Sequence, residues 1–274
     1  ILKYQSFINT LTAFSNFERG SIISLGEVPA DIRLRFQSPI IILDPVDSER
    51  NLGAAISEES LATFISAARS FLRKPRLEYF KIPENSEVPS TLKKMLDNLI
   101  LLKFRHEPRS PDIIWGQLHK TSEAIEKQLK IRGFKVLKIC EASSEQAESA
   151  ILLLTESTTL PKYVLKIGPE VYRKEDAARF IEKNLNRSTA TWFTKDGRIV
   201  SLQERVHRDI VEVLSSILKN PKEVGVSEGL REALKTSTTI LTGKDILDAV
   251  ENIFWLKKEV HKFVFTDQLT FDPA

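Results

Sequence analysis

Between Leu99 and Ser201, short apolar runs rich in β-branched residues alternate with amphipathic stretches, so strands and helices must share a core there. Leu99–Phe104 is predicted as a strand. Ser110-Pro111-Asp112 supplies a cap with proline in the first turn, and Trp115, Leu118, Ser122, Ile125 and Leu129 then line one face of a helix. Phe134–Ile139 and Ser149–Thr155 follow as strands, and Glu175–Asn184 as a second helix. Thr191–Thr194 and Arg198–Ser201 flank Lys195-Asp196-Gly197, a hairpin signal. The order predicts an α+β chain with a ferredoxin-like β-α-β-β-α-β body over residues 75–204.

The flanks read differently. Residues 1–17 carry Tyr4, Phe7, Ile8, Leu11 and Phe14 at helical spacing, and Ser38–Asp44 is a short β-branched strand. Ser57 can cap a helix whose buried stripe is Leu61, Phe64, Ile65, Ala68, Phe71 and Leu72. Residues 1–74 are therefore expected as a helical central segment built around a strand-turn-helix, bounded by the Lys- and Glu-rich stretch that Pro75, Pro83 and Pro89 punctuate. Beyond residue 205, the stripes Val206, Ile210, Val213, Leu214, Ile217 and Ile246, Val250, Ile253, Phe254 predict a small helical tail over 205–274. Forty Lys and Arg against 37 Asp and Glu leave a formal charge of only +3, so affinity for phosphate must come from local clusters. Cys140 is the only cysteine, which excludes an intrachain disulfide and suits a reducing, cytoplasmic compartment. No apolar run approaches the roughly 18 residues that a membrane span needs. The sequence leaves a homodimer open.

Some apparent sites dissolve on inspection. Gly20-Ser21 followed by Asp31-Ile32-Arg33 imitates a nucleotidyltransferase metal motif, but Arg33 stands where a second carboxylate would bind metal. A surface loop leading into the Ile40 strand is the expectation there. Arg132-Gly133-Phe134 opens like an RNA-recognition signature and then lacks its stacking aromatics, so a helix end followed by a strand fits better. His106, His119, His207 and His261 show no metal-ligand spacing, and no metal site or catalytic set is predicted.

The strongest local signal is Asp44-Pro-Val-Asp-Ser-Glu-Arg-Asn51, which runs into Leu52-Gly53-Ala54-Ala55-Ile56-Ser57. It closely resembles the Asp-Pro-Val-Asp-x-x-Arg-Asn motif of archaeal, class I CCA-adding enzymes. Four further stretches resemble that family in order and spacing: Tyr4–Asn9, Lys103–Ile113, Gly168-Pro169 with Glu175–Asn184, and Gly225–Glu232. In that family an amino-terminal head carries the Gly-Ser turn and the catalytic carboxylates, followed by central, body and tail domains. The resemblance implies that this chain starts within the central domain and that the Mg2+ ligands of the complete enzyme lie outside it. It also implies that Arg50, with Asp47 and Asn51, faces the nucleotide, CTP or ATP, or the tRNA 3′ end. A guanidinium's rigid fork of donors suits either a base edge or a phosphate. Asp44, Asp47 and Arg50 also suit a purely structural role in stabilising the turn.

Lys127, Lys130, Arg132, Lys135 and Lys138 crowd one helix-to-strand junction; Arg205, His207 and Arg208 form a second group, and Lys257, Lys258 and Lys262 a third with His261. Such groups on one face would bind an RNA backbone in a salt-sensitive way. The expected partner is the stacked acceptor and T stems of tRNA, recognised by shape. The expectation is the tRNA-binding, nucleotide-pocket-completing part of a nucleotidyltransferase, inactive alone. The rival is a stand-alone RNA-binding protein on the same scaffold.

Overall fold

A computed structural model describes residues 2–47, 49–80, 88 and 90–270; Pro83, Pro89 and Ser48, which figured in the sequence expectations, lie outside the described residues. The chain forms two compact units, residues 1–87 with 261–274, and residues 88–260. In the first unit, α1 (Phe7–Ser15) starts later than residue 1 because the Ser6 side chain accepts the Asn9 N–H and fixes the N-terminus. It packs against α3 (Glu58–Arg73), where the predicted Ser57 cap accepts the Ser60 N–H and Glu58 and Glu59 complement the positive helix end. Phe14 meets Phe64 edge-on at 5.0 Å, and Phe7 meets Phe71 at 6.3 Å.

The expected surface loop before Ile40 is instead structured. β1 (Ser21–Ile23) pairs in parallel with β2 (Ile40–Ile42), and α2 (Ile32–Arg35) lies between them in sequence. Ile32 is buried against Ile41 and Leu43, so this crossover is part of the unit's small core.

In the second unit, α4 (Ser90–Met95) leads into β3 (Leu99–Arg105), α5 (Pro111–Ile131), β4 (Val136–Ser143) and β5 (Glu148–Thr155). Next come β6 (Tyr163–Glu170), α6 (Lys174–Asn184), β7 (Ser188–Phe193) and β8 (Arg198–Glu204). The remainder is α7 (Ile210–Lys219), α8 (Arg231–Ser237), β9 (Thr239–Thr242), α9 (Lys244–Asn252) and the start of α10 (Phe254–Thr270), whose residues from His261 on count with the first unit. Pro111 opens α5 as expected, although the Ser110 hydroxyl makes no cap hydrogen bond. At the other end Gly133 takes φ +99°, with Gly133 N–H bonded to the Lys130 carbonyl and Phe134 N–H to that of Leu129. That is a Schellman ending, and it turns the chain into β4.

The strand order β4-β5-β3-β9 is antiparallel throughout, and with α5 and α7–α8 it has the ferredoxin-like alternation. Its later parts differ from the expectation. The closing helix and strand come from the stretch read as a purely helical tail: Leu101 pairs with Leu241 and Leu102 with Ile240. The residues expected to fill those places make a separate antiparallel sheet, β6-β8-β7, with α6 on one face. The reason is burial. Leu99, Ile100, Leu101 and Leu102 are all fully buried, so β3 needs cover on both faces and neighbours on both edges. Ile100, Leu102 and Phe104 join the core formed by α5, α7 and α8. On the other side of the sheet α9 approaches β3 and β9, and α10 passes β4, the Glu259 carbonyl lying 3.7 Å from the Cys140 Sγ.

In the second sheet α6 packs so closely on β6 that a Cβ on Gly168 would sit 2.8 Å from the Phe180 ring. Gln203 donates to the Asn184 side chain at 3.0 Å beneath it. Replacing Gly168 with alanine should therefore cost about 1–3 kcal/mol by overpacking. Denaturant unfolding checks this, and an unchanged midpoint would show that α6 yields without strain.

Candidate nucleic-acid interface

The Asp44–Asn51 loop leaves β2 and returns to it. Leu43 and Asn51 form an antiparallel bridge, Asp44 N–H donates to the Arg50 carbonyl at 3.1 Å, and Leu52 N–H donates to that of Ile42 at 2.8 Å. Within the loop, Asp44 accepts the Val46 N–H at 2.9 Å and Asp47 accepts the Glu49 N–H at 3.0 Å, two Asx turns that fix its path. Arg50 has its own N–H on the Asp47 carbonyl at 3.0 Å. Both of its backbone groups are tied, whereas its side chain is exposed and makes no hydrogen bond or ion pair among the described residues. Asp47 is exposed beside it.

Asn51 is different. It is 7% exposed, and its carboxamide oxygen accepts from Ile42 N–H at 2.9 Å and Gly53 N–H at 2.8 Å. Its nitrogen donates to the Ser38 hydroxyl at 3.1 Å and the Ile40 carbonyl at 3.4 Å. With both lone pairs and both hydrogens engaged, Asn51 has nothing left for a ligand. It pins the end of the loop to β2. Gly53 follows where a Cβ would lie 2.9 Å from the Ile40 carbonyl, so only glycine fits under this tie.

Arg35 at the end of α2 reaches the loop from outside. Its Nε donates to Asp31 at 2.6 Å and its Nη1 to Glu49. The Arg35 hydrogen bond holds the Asp31 carboxyl below its ordinary value, and Asp31 first, then Glu49, raises the Arg35 guanidinium above its own. A lowered carboxylate contributes at pH values above its unfolded value and loses that contribution only as pH falls through the folded one, so the Asp31–Arg35 contact persists across neutral pH.

The structure brings the first two basic groups together. The Arg205 Nη1 donates to the Arg132 carbonyl at 3.2 Å, and a Cβ on Gly133 would lie 3.0 Å from that nitrogen. A cation there satisfies a carbonyl at the C-terminus of α5, so Arg205 serves the fold first. Lys127 and Lys130 are exposed on the last turns of α5. Arg132 folds back to the Gln128 carbonyl at 3.1 Å, and Arg208 Nε donates to that of Leu160 at 3.0 Å. Acidic neighbours discount the rest: Lys135 pairs with Glu156 at 3.1 Å and His207 with Glu212 at 3.7 Å. Lys138 is half-buried, and Lys257, Lys258 and Lys262 lie on α10. Lys162, not foreseen, joins this junction because Arg205 N–H bonds to its carbonyl at 2.9 Å; its ammonium pairs with Glu204 at 2.9 Å. Only the pairing of β6 with β8 reveals it.

Among the described residues no group of three or more His, Cys, Asp or Glu side chains is placed to hold a metal. No helix among them is long and apolar enough to cross a membrane.

The family described as "CCA-adding enzyme, C-terminal domain" matches residues 97–243, and "tRNA nucleotidyltransferase, second domain" matches residues 1–81. The CCA-adding enzyme of Pyrobaculum neutrophilum is 32% identical over 216 residues, covering 78% of this chain and 49% of the relative. That of Saccharolobus shibatae is 35% identical over 206 residues, 75% and 46%. These matches, over the loop of this motif and over the ferredoxin-like sheet, place the chain among the tRNA nucleotidyltransferases. The chain belongs to the CCA-adding enzyme family. It spans about half the length of the curated relatives it matches.

Asn51→Ala should leave the half-buried Ile42 N–H and the buried Gly53 N–H without acceptors and cost about 1–3 kcal/mol. Asn51→Asp keeps the acceptors but sets an oxygen against the Ile40 carbonyl, and should cost a similar amount. Thermal unfolding of both variants measures it; two unchanged midpoints would mean that the carboxamide does not hold the loop.

Proposed function

We propose that this chain is the tRNA-holding and nucleotide-pocket-completing part of a CCA-adding tRNA nucleotidyltransferase, with Arg50 presented to CTP, ATP or the tRNA 3′ end. One observation carries it: Arg50 is an exposed guanidinium without a side-chain partner among the described residues, on a loop whose backbone is tied at both ends. A preorganised fork of donors loses little freedom on binding and can discriminate base edges, which a mobile ammonium does poorly. Asp47 stands beside it as a second contact, whereas Asn51 acts by holding the loop. The exposed Lys127 and Lys130 are the surface for the RNA backbone, with Arg132, Lys135, Lys138, Arg205, His207 and Arg208, whose charges are already engaged or half-buried, at its margin and the α10 lysines as a further group. The reaction adds CCA from CTP and ATP, in the cytoplasm, with magnesium held by residues outside the described ones.

The 274-residue chain should bind a tRNA transcript lacking its 3′ CCA and incorporate no labelled CTP. Raising salt from about 50 to 200 mM should weaken binding at least tenfold, and Lys127→Ala with Lys130→Ala should lower the slope of log K against log salt by about 2. Indifference to tRNA at low salt would overturn the proposal. In a complex that supplies the catalytic half, Arg50→Ala should disturb the choice between CTP and ATP while leaving tRNA affinity within about twofold; a loss of tRNA affinity alone would reassign Arg50 to phosphate positioning.

A further inference from the structure

The loop that carries Arg50 also carries Asp44, Asp47 and Glu49, and none of these carboxylates pairs with it. Asp44 and Asp47 are turned to backbone N–H groups. Glu49, the residue next to Arg50 and 70% exposed, has no such use; what takes it is Arg35, which holds Asp31 with one edge of its guanidinium and Glu49 with another. We infer that Arg35 is a positioning residue: by occupying Glu49 it keeps the neighbouring Arg50 guanidinium free for an anionic ligand, a nucleotide phosphate or an RNA 3′ end.

As a stability device this contact is weak, because solvent reaches every member, Arg35 at 36%, Asp31 at 47% and Glu49 at 70% side-chain exposure. Its consequence is electrostatic. Released, Glu49 is a carboxylate one residue from Arg50, able to pair with the guanidinium and to repel an incoming phosphate, while Asp31 adds a second uncompensated charge nearby. A lysine in place of Arg35 could not span both acids, since only the planar fork offers donors along two edges.

The inference rests on the reading of Arg50 as a ligand contact, and its test separates the two. The Arg50 Nε–Hε resonance of the 274-residue chain is followed by NMR while CTP or an acceptor-stem RNA hairpin is added. Arg35→Ala should shift that resonance before any ligand is present and weaken binding about tenfold. Adding Glu49→Gln should return both readouts to within about twofold of the parent, and Glu49→Gln alone should bind at least as well as the parent. A loss confined to CTP assigns the anion to the nucleotide, one confined to the hairpin to the RNA end. Parent-like affinity and an unmoved resonance in Arg35→Ala would overturn the inference, as would a double variant no better than the single one, which would mean that the loop had collapsed. If Arg50→Ala binds both ligands normally, the reading of Arg50 falls, and the resonance alone then decides whether Arg35 governs Glu49.

Discussion

The two-sided burial of Leu99–Leu102 is the constraint from which the larger unit follows. A strand apolar on both faces cannot lie at a surface, so it requires helices on each side and a hydrogen-bonded neighbour at each edge. Local sequence supplies only part of that: α5 for one face and β5 for one edge. The rest is drawn from far along the chain, α7 and α8 adding to the first face, β9 closing the open edge, and α9 approaching from the second side. The β6–β8 module, which pairs only within itself, sits in the connection without disturbing that arrangement.

A similar economy operates in the smaller unit, where polar atoms rather than apolar ones set the geometry. Two carboxylates and one carboxamide of the motif are consumed by backbone groups and Glu49 is held by Arg35, which leaves the Arg50 guanidinium without a side-chain partner among the described residues. Rigidity and availability thus fall on adjacent residues. Were Asn51 outward and Arg50 inward, the loop would have neither a fixed path nor a strong donor to offer.

How much of this could be read in advance depends on the range of the cause. Ser57, Pro111, Gly133 and Asp196-Gly197 act within a few residues, and the elements they start or stop stand where the sequence placed them. β1 and β9 are short strands whose existence depends on a partner elsewhere, Ile40–Ile42 and Ile100–Lys103, and neither has an alternation long enough to announce it. β6 carries Gly168-Pro169 near its end, and the glycine there is explained only by Phe180, which needs the space above it. At the site, the motif itself was legible. The split between Arg50 and Asn51 was not, because an asparagine offers the same donors and acceptors to a ligand as to a backbone, and only the position of Ile40, Ile42 and Gly53 decides which it serves.

The same distinction governs the basic clusters. Counted along the sequence, Arg205, Lys135 and Lys127 are equivalent; placed in the fold, one answers a helix terminus, one faces a glutamate, and one faces water. Charges already engaged contribute little to an encounter with a polyanion, since releasing them costs about what the new contact returns. A chain with a net charge near zero can still bind RNA, provided that its unpaired cations fall on one side and its carboxylates are occupied where the ligand approaches. Arg35 over Glu49 is the second half of that condition, met next to the residue where a stray carboxylate would do the most harm.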